Sequence, residues 1–240
     1  MHGDFTWVDL STFEVTEAKT FYRGLFAWDF EEDGGGYVSA GKAGAPCAGL
    51  YEMPGFFQNI RMPSFWMTYI SVPDIDVVVA KARELGGKVE LEETNARGKI
   101  ALIRDPAGAG FTCFQGDAGS AVVEPPRDGR WCGSELFVSD LKSIEGFYAG
   151  LFGWTFEAGE DGDVDRYSIR SEGGKRIGAV QVASNEIKGE KEFWGVFFGV
   201  RDLDRALAVI RDAGGKVIDE YSNSNGTHVL ANDSQGATFL

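Results

Sequence analysis

Along this chain, apolar positions switch between the two-residue period of strands and the spacing of helices in one recurring order. Phe5-Thr6-Trp7-Val8-Asp9-Leu10 is a short β-type run, and Thr16 to Phe26 then sets Ala18, Phe21, Tyr22, Leu25 and Phe26 on one helical face. Gly24, near the end of that stretch, predicts the helix terminus. Tyr37 to Ala40 and Cys47 to Tyr51 follow as strands separated by glycines. A second cycle opens with the β-rich run Phe65 to Val72. Asp74 or Asp76 is placed to cap a helix over Val77 to Leu85, which Gly86-Gly87 ends. Strands at Val89 to Leu91, Lys99 to Ile103 and Phe111 to Phe114 complete the cycle, the last two joined by the turn Asp105-Pro106-Ala107-Gly108.

The second half of the chain repeats the first. Phe21-Tyr22-Arg23-Gly24-Leu25-Phe26-Ala27-Trp28-Asp29-Phe30-Glu31 returns as Phe147-Tyr148-Ala149-Gly150-Leu151-Phe152-Gly153-Trp154-Thr155-Phe156-Glu157. Trp66 to Val89 returns as Trp194 to Val217, with a V-x-D-x-D opening and a closing Gly-Gly-Lys-Val, and Asp105-Pro106-Ala107-Gly108-Ala109 returns as Asp233-Ser234-Gln235-Gly236-Ala237. Three matches in one order, at offsets of 126 to 128 residues, mean duplication. Asp117 to Arg130, with Pro125-Pro126 and Asp128-Gly129, has no apolar periodicity and reads as the connection. The expected organisation is a first domain over 1–118, a linker over 119–130 and a second domain over 131–240, each domain built from two modules of strand, helix and two or three strands. Phe239-Leu240 follows closely on the last turn, so either the final strand is short or the sequence stops within it.

The helix-end segments F-Y-x-G-L-F-x-W-x-F-E, the V-x-D-x-D helix openings and the D-x-x-G-A turns cover nearly the whole chain. As an ordered set they resemble the vicinal oxygen chelate superfamily of glyoxalases, extradiol dioxygenases, epimerases and antibiotic-sequestering, bleomycin-resistance proteins. The resemblance implies an α+β fold of four βαβββ modules, paired into two half-open β-barrels with the helices outside and a ligand cleft within. It also implies, for enzymes of that family, one divalent metal held by His, Gln or Glu on the first and last strands of paired modules, leaving coordination positions for substrate oxygens. Counted from the helix openings, those positions fall at Trp7, Met67 and Thr112 in the first copy, and at Gly133, Gly195 and Leu240 in the second. None is a competent ligand. The chain has two histidines, His2 and His228, in different copies. A metal-free cleft is therefore expected over a metal centre.

Strand alternation puts Trp7 and Asp9 on one face, and burying a carboxylate there costs free energy unless it has a partner. The duplication aligns Asp9 with Glu135, each five positions before Glu14 or Asp140, and aligns Glu52 with Gln181. Asp9 and Glu135 are candidates for a general base or an acceptor that orients a polar ligand. The rival reading is structural, with each accepting bonds from backbone amides or a tyrosine hydroxyl. Trp7, Met67, Tyr69 and Thr112, with Glu52 and Gln181, are the remaining candidates for ligand binding in the cleft. The other aromatic residues of the two β-rich runs, Phe65, Trp66, Phe193, Trp194, Phe197 and Phe198, are expected mostly in the core. His228 aligns with Ile100 and is read as a rim histidine. The acidic segments Glu31-Glu32-Asp33 and Glu160 to Asp163 read as solvated loops.

Composition narrows the partners. A net charge of −14 without a Lys/Arg cluster disfavours nucleic acid and anionic membrane surfaces. No membrane-length apolar run or signal-type start is seen, so a cytoplasmic location is expected. Three widely spaced cysteines, Cys47, Cys113 and Cys132, give no C-x-x-C pair and are read as reduced thiols without a role. Three functions remain: a metal-independent protein that binds a small organic molecule, with no cofactor; a metal-dependent lyase, isomerase or dioxygenase; and a non-catalytic scaffold or regulatory module. Fusion of the copies makes a monomer reasonable, with a homodimer as the alternative.

Overall fold

A computed structural model describes residues 2–59, 62–95, 97–116, 125–159, 165–223 and 226–240. The fold is α+β, and each module has the order βαβββ. The first comprises β1 (Asp4–Thr12), α1 (Val15–Phe26), β2 (Asp29–Gly34), β3 (Tyr37–Lys42) and β4 (Ala45–Glu52), and the short helix α2 (Phe56–Asn59) leads onward. The second comprises β5 (Phe65–Ser71), α3 (Ile75–Glu84), β6 (Lys88–Asn95), β7 (Gly98–Arg104) and β8 (Gly110–Gln115). The third comprises β9 (Trp131–Val138), a 3-10 turn (Leu141–Ser143), α4 (Glu145–Phe152), β10 (Thr155–Ala158), β11 (Arg166–Arg170) and β12 (Arg176–Val182), followed by α5 (Asn185–Lys188). The fourth comprises β13 (Phe193–Phe198), α6 (Leu203–Asp212), β14 (Lys216–Asn223), β15 (Gly226–Asn232) and β16 (Thr238–Phe239).

Within a module the second, third and fourth strands form an antiparallel meander, and the fourth runs parallel to the first, as β1 with β4, β5 with β8 and β9 with β12. The crossover helix covers one face of these strands, so residues alternate between the helix side and the opposite side. In module one Val38, Ala40, Ala48 and Leu50 pack on the helix side with Val8 and Leu10, all at most 2% exposed. The side chains of Asp9, Ser11, Tyr37, Ser39 and Tyr51 share the other side, as the register Asp9↔Gly49, Ser11↔Tyr51 and Tyr37↔Tyr51 requires.

Tight packing divides the chain into two compact units, each assembled from separate stretches. One comprises Met1–Trp7, Thr68–Ser120 and Gly133–Gly195, and the other Val8–Met67, Ala121–Cys132 and Val196–Leu240. These units group module two with three and module one with four through helix packing, α3 on α4 and α1 on α6, while hydrogen bonding joins the strands of consecutive modules one and two in one eight-stranded sheet, in the order β2-β3-β4-β1-β5-β8-β7-β6. Residues 119–124 of the expected linker lie outside the described residues. The rest of it is anchored: the Trp28 indole donates to Gly129 O at 2.7 Å, Gly129 N to Gly199 O, and Lys42 pairs with Asp128 at 2.7 Å.

The duplicated motifs build the two cores. In the Val8–Met67 unit the Tyr22 hydroxyl donates to Asp233 at 2.9 Å and accepts from the Trp66 indole at 3.0 Å. In the other unit Tyr148 donates to Asp105 at 2.9 Å and accepts from Trp194 at 3.0 Å. The second carboxylate oxygen of each aspartate accepts two backbone amides of its own turn, from Ala107 and Ala109 and from Gln235 and Ala237. One oxygen therefore shapes the D-x-x-G-A turn while the other holds the helix of another module. Burial pushes both carboxyls above the ordinary aspartate value and both tyrosines well above theirs. Stacked aromatics surround each lock, with Tyr22 on Trp28 at 5.6 Å and Tyr148 on Trp154 at 5.3 Å.

Two local expectations change. Gly24 does not end α1; Ala27 does, in the left-handed region at φ 57°, as Gly153 does for α4 at φ 69°. Gly150, the counterpart of Gly24, admits a close neighbour, since a Cβ there would come within 2.9 Å of Leu85, whereas a Cβ at Gly24 would meet Val209 at an ordinary 3.6 Å. Glu31-Glu32-Asp33 lies on β2, an edge strand whose exposed charges discourage edge pairing. Glu160 to Asp163 lies outside the described residues. Asp74 caps α3 through the amides of Asp76 and Val77, and Asp202 does the same for α6 through that of Arg205.

Candidate functional site

The face of module one away from α1 carries a hydrogen-bonded line of polar side chains, with Asp9 and Ser11 buried and Tyr37 and Tyr51 half-buried. Asp9, 4% exposed, accepts from the Tyr37 hydroxyl at 2.6 Å, and next to it the Ser11 hydroxyl is bonded to that of Tyr51. Gly49 makes this arrangement possible. A Cβ there would lie 1.8 Å from the Tyr37 oxygen and 2.2 Å from Asp9 Oδ1, so the phenol and the carboxyl meet over a bare backbone. Leaving the Asp9 carboxyl unsatisfied at this depth would cost about 1–3 kcal/mol, which fixes Tyr37 in place.

The corresponding face of module three solves the same problem differently. Glu135, 8% exposed, is bound by Arg166 through Nη2, with Nε at 3.4 Å from its other oxygen. Arg166 stands opposite Gln181 as Tyr37 stands opposite Tyr51, and Ala179 stands opposite Glu135 where Gly49 stands opposite Asp9. The partner of Glu135 is a long guanidinium, and here an alanine methyl occupies the glycine position. The Ser11 position is taken by Phe137, which stacks on Phe193 at 5.0 Å.

These ladders shift one alignment made from sequence. Matching the Gly-x-x sequences pairs Glu52 with Gln181, but the registers Asp9↔Gly49 and Glu135↔Ala179 make Tyr51 the counterpart of Gln181 and Ala48 that of Gly178. Gly178 is a glycine for its own reason: a Cβ there would come within 2.7 Å of the Phe5 ring and of Ser134 O. Glu52 is exposed at the end of β4 and opposite Thr12, on the side away from Asp9. The Gln181 amide donates to Asp165 O and Val182 O.

Among the other candidates, Tyr69 and Thr112 are register partners on parallel β5 and β8, Tyr69 half-buried and Thr112 4% exposed. Trp7 is half-buried on β1, and Met67 is 8% exposed on β5. His228 stacks on Tyr221 at 5.1 Å with its ring edge toward Phe197 at 5.8 Å. Trp66 and Trp194 are core residues, as expected. Burial pushes the Cys47 thiol up, with Arg130 and Lys42 opposing, and pushes that of Cys113 far up, so neither is an activated nucleophile. Tyr37, Ser11, Tyr51, Gly49 and Arg166 are site residues that the sequence does not single out. Their signal is the pair register, which places them beside the two carboxylates.

The donor set does not suit the family's metal. Trp7, Met67 and Thr112 bring no imidazole or carboxylate, nor do Gly133, Gly195 and Leu240. Among the described residues no group of three His, Cys, Asp or Glu side chains is placed to hold an ion. No helix among them is long and apolar enough to cross a membrane.

Residues 131–239 match the family model described as the glyoxalase/bleomycin resistance protein/dioxygenase superfamily. The chain is 30% identical over 246 residues to the Mycobacterium tuberculosis protein named "Putative glyoxylase CFP32", covering 99% of this chain and 93% of that one. Among solved structures, the 2,3-dioxygenase LapB from Pseudomonas sp. KL28 superposes with a TM-score of 0.63 at 14% identity, over 100% of this chain and 92% of that one. The Mn(II)-bound glyoxalase from Novosphingobium aromaticivorans gives 0.63 at 13%, over 99% and 81%. The βαβββ modules thus define a vicinal oxygen chelate fold. This chain belongs to the glyoxalase/bleomycin resistance protein/dioxygenase superfamily.

Proposed function

We propose that the protein binds a small organic molecule on the face of module one away from α1, through Asp9, Tyr37, Ser11 and Tyr51, without a divalent metal. The observation that carries this reading is the buried Asp9 carboxyl, met by a phenol over a glycine that only this arrangement requires. A carboxylate and two tyrosine hydroxyls suit a ligand with hydroxyl or amine donors on an apolar frame. Asp9 would orient such a ligand or take its proton, while Glu135, bound to Arg166, would serve a differently shaped ligand or none. Trp7, Tyr69, Met67 and Thr112 remain proposed wall residues of the family cleft, and two consecutive domains, over 1–118 and 131–240 with a linker over 119–130, remain the proposed organisation. Cys47, Cys113 and Cys132 form no disulfide among the described residues, which supports a cytoplasmic protein, acting as a monomer or homodimer.

The metal-dependent lyase, isomerase or dioxygenase reading draws on the Mn(II)-bound neighbour, yet the family's ligand positions here hold no imidazole or carboxylate. A thermal-shift screen of phenols, polyols and amines, run before and after chelation, tests the proposal, because a specific binder raises the melting temperature according to its affinity. A hit whose shift survives chelation supports it. Near-stoichiometric Zn, Ni, Mn or Fe in the purified protein, with every shift lost on chelation, would establish the metal-dependent reading instead.

A further inference from the structure

Tyr37 and Tyr51 stand opposite each other on β3 and β4, two half-buried phenols on one face, and their buried partners on β1 polarise them in opposite senses. Asp9 accepts the Tyr37 proton at 2.6 Å, so Tyr37 meets a further group as an acceptor, through the lone pairs of its oxygen. Ser11 donates to the Tyr51 oxygen, so Tyr51 meets a further group as a donor, through its own O–H. A tyrosine hydroxyl ordinarily serves either role; here each role is assigned. Tyr37 shares the row of Tyr51 and Ser11 but reaches the next row, at Asp9, over the bare backbone of Gly49, and this parts the two hydroxyls. Asp9 and Ser11 are two residues apart on one strand, a rise of about 7 Å, which sets the separation of acceptor and donor. Module three has no such pair. In these places it holds Arg166, whose guanidinium only donates, and Gln181, whose amide donates to Asp165 O and Val182 O.

We propose that the ligand of the module-one face is a hydroxy ketone, with a hydroxyl that donates to Tyr37 and Asp9 and a carbonyl that accepts from Tyr51, about 7 Å apart on an apolar frame. This rests on the Asp9 face being the binding site, and adds the second polar group of the ligand, its hydrogen-bonding sense and its distance from the first. A carbonyl oxygen accepts and cannot donate, so it fits Tyr51 and is refused by Tyr37, and the ligand enters in one orientation. An aromatic ring carrying the two groups in para positions spans roughly that distance with little internal freedom to lose on binding.

Para-hydroxyacetophenone is the probe, titrated by calorimetry into the full-length, chelator-treated protein. Its controls are meta-hydroxyacetophenone, which shortens the spacing, and para-ethylphenol, which keeps the hydroxyl and lacks the carbonyl. The wild type is expected to bind the para ketone at least tenfold more tightly than either control. In Tyr51→Phe the preference over para-ethylphenol is expected to fall to about twofold or less, with the circular dichroism spectrum unchanged. Wild-type affinities equal for the para ketone and para-ethylphenol, or a preference that survives Tyr51→Phe, would overturn the hydroxy-ketone assignment and leave the Asp9 face as the binding site. Saturable binding of none of the three, or affinities all unmoved by Asp9→Asn, would overturn both.

Discussion

The faces of modules one and three away from their helices descend from one sequence and hold their buried carboxylates in different ways, whereas the two Tyr-Asp-Trp locks are alike bond for bond. Tyr22, Asp233 and Trp66 reproduce Tyr148, Asp105 and Trp194 to within 0.1 Å in each side-chain distance. On those faces, Asp9 has a phenol and a glycine where Glu135 has a guanidinium and an alanine. The lock is a structural requirement of both units, so neither copy was free to change it. Those faces carry no such requirement, and the acid alone persists while its partner, its neighbour and its floor have diverged.

The largest expected effect comes from breaking the module-three pair. Arg166→Met leaves Glu135 buried without its cation, and urea unfolding is expected to show a loss of about 3 kcal/mol. Filling the module-one floor comes next. Gly49→Val drives a side chain into the Tyr37–Asp9 bond and is expected to cost about 2–3 kcal/mol, whereas Ala179→Gly, at the equivalent position, should cost about 1 kcal/mol or less. Equal losses at the two positions would break the comparison. The locks should respond alike: Tyr22→Phe and Tyr148→Phe each leave an aspartate oxygen and an indole N–H unpaired, at about 1–3 kcal/mol, with the two values close to each other.

The smallest effect is in pH dependence. Burial raises the carboxyls of Asp105 and Asp233 above their unfolded value, so the folded state favours their protonated forms. Their contribution is fully present below the unfolded pKa and is lost as pH rises through the folded one. The stability difference between wild type and an Asp105→Asn, Asp233→Asn double variant should therefore favour the wild type more at pH 4 than at pH 7. A difference that is flat, or of opposite slope, would show that burial does not dominate these carboxyls.

The fold was legible because its signals are local. Phe21, Tyr22, Leu25 and Phe26 mark a helix face by spacing alone, Asp74 marks a cap, and the duplicated turns mark strand ends. The site was legible only in its acids, Asp9 and Glu135, because alternation and duplication both single them out. Their partners lie 28 and 31 residues away, across a sheet, and only the strand register brings Tyr37 to one and Arg166 to the other. The same limit explains the shift of Glu52 against Gln181: a glycine was aligned with a glycine, although Gly49 makes room for a hydrogen bond and Gly178 for the Phe5 ring. Gly24 shows a third case, in which a residue that often ends a helix lies inside it and the left-handed position falls at Ala27 instead. The lock residues were visible as repeats, but their role as bonds between non-consecutive modules was not, since nothing in a sequence states which copy a side chain reaches.

The most direct test of the Asp9 face is calorimetric titration of one ligand from the thermal-shift screen into metal-free wild type, Asp9→Asn and Glu135→Gln. The expected result is a loss of at least tenfold in affinity for Asp9→Asn and no change for Glu135→Gln. Equal affinity in all three proteins would contradict the assignment of ligand binding to the Asp9–Tyr37 face.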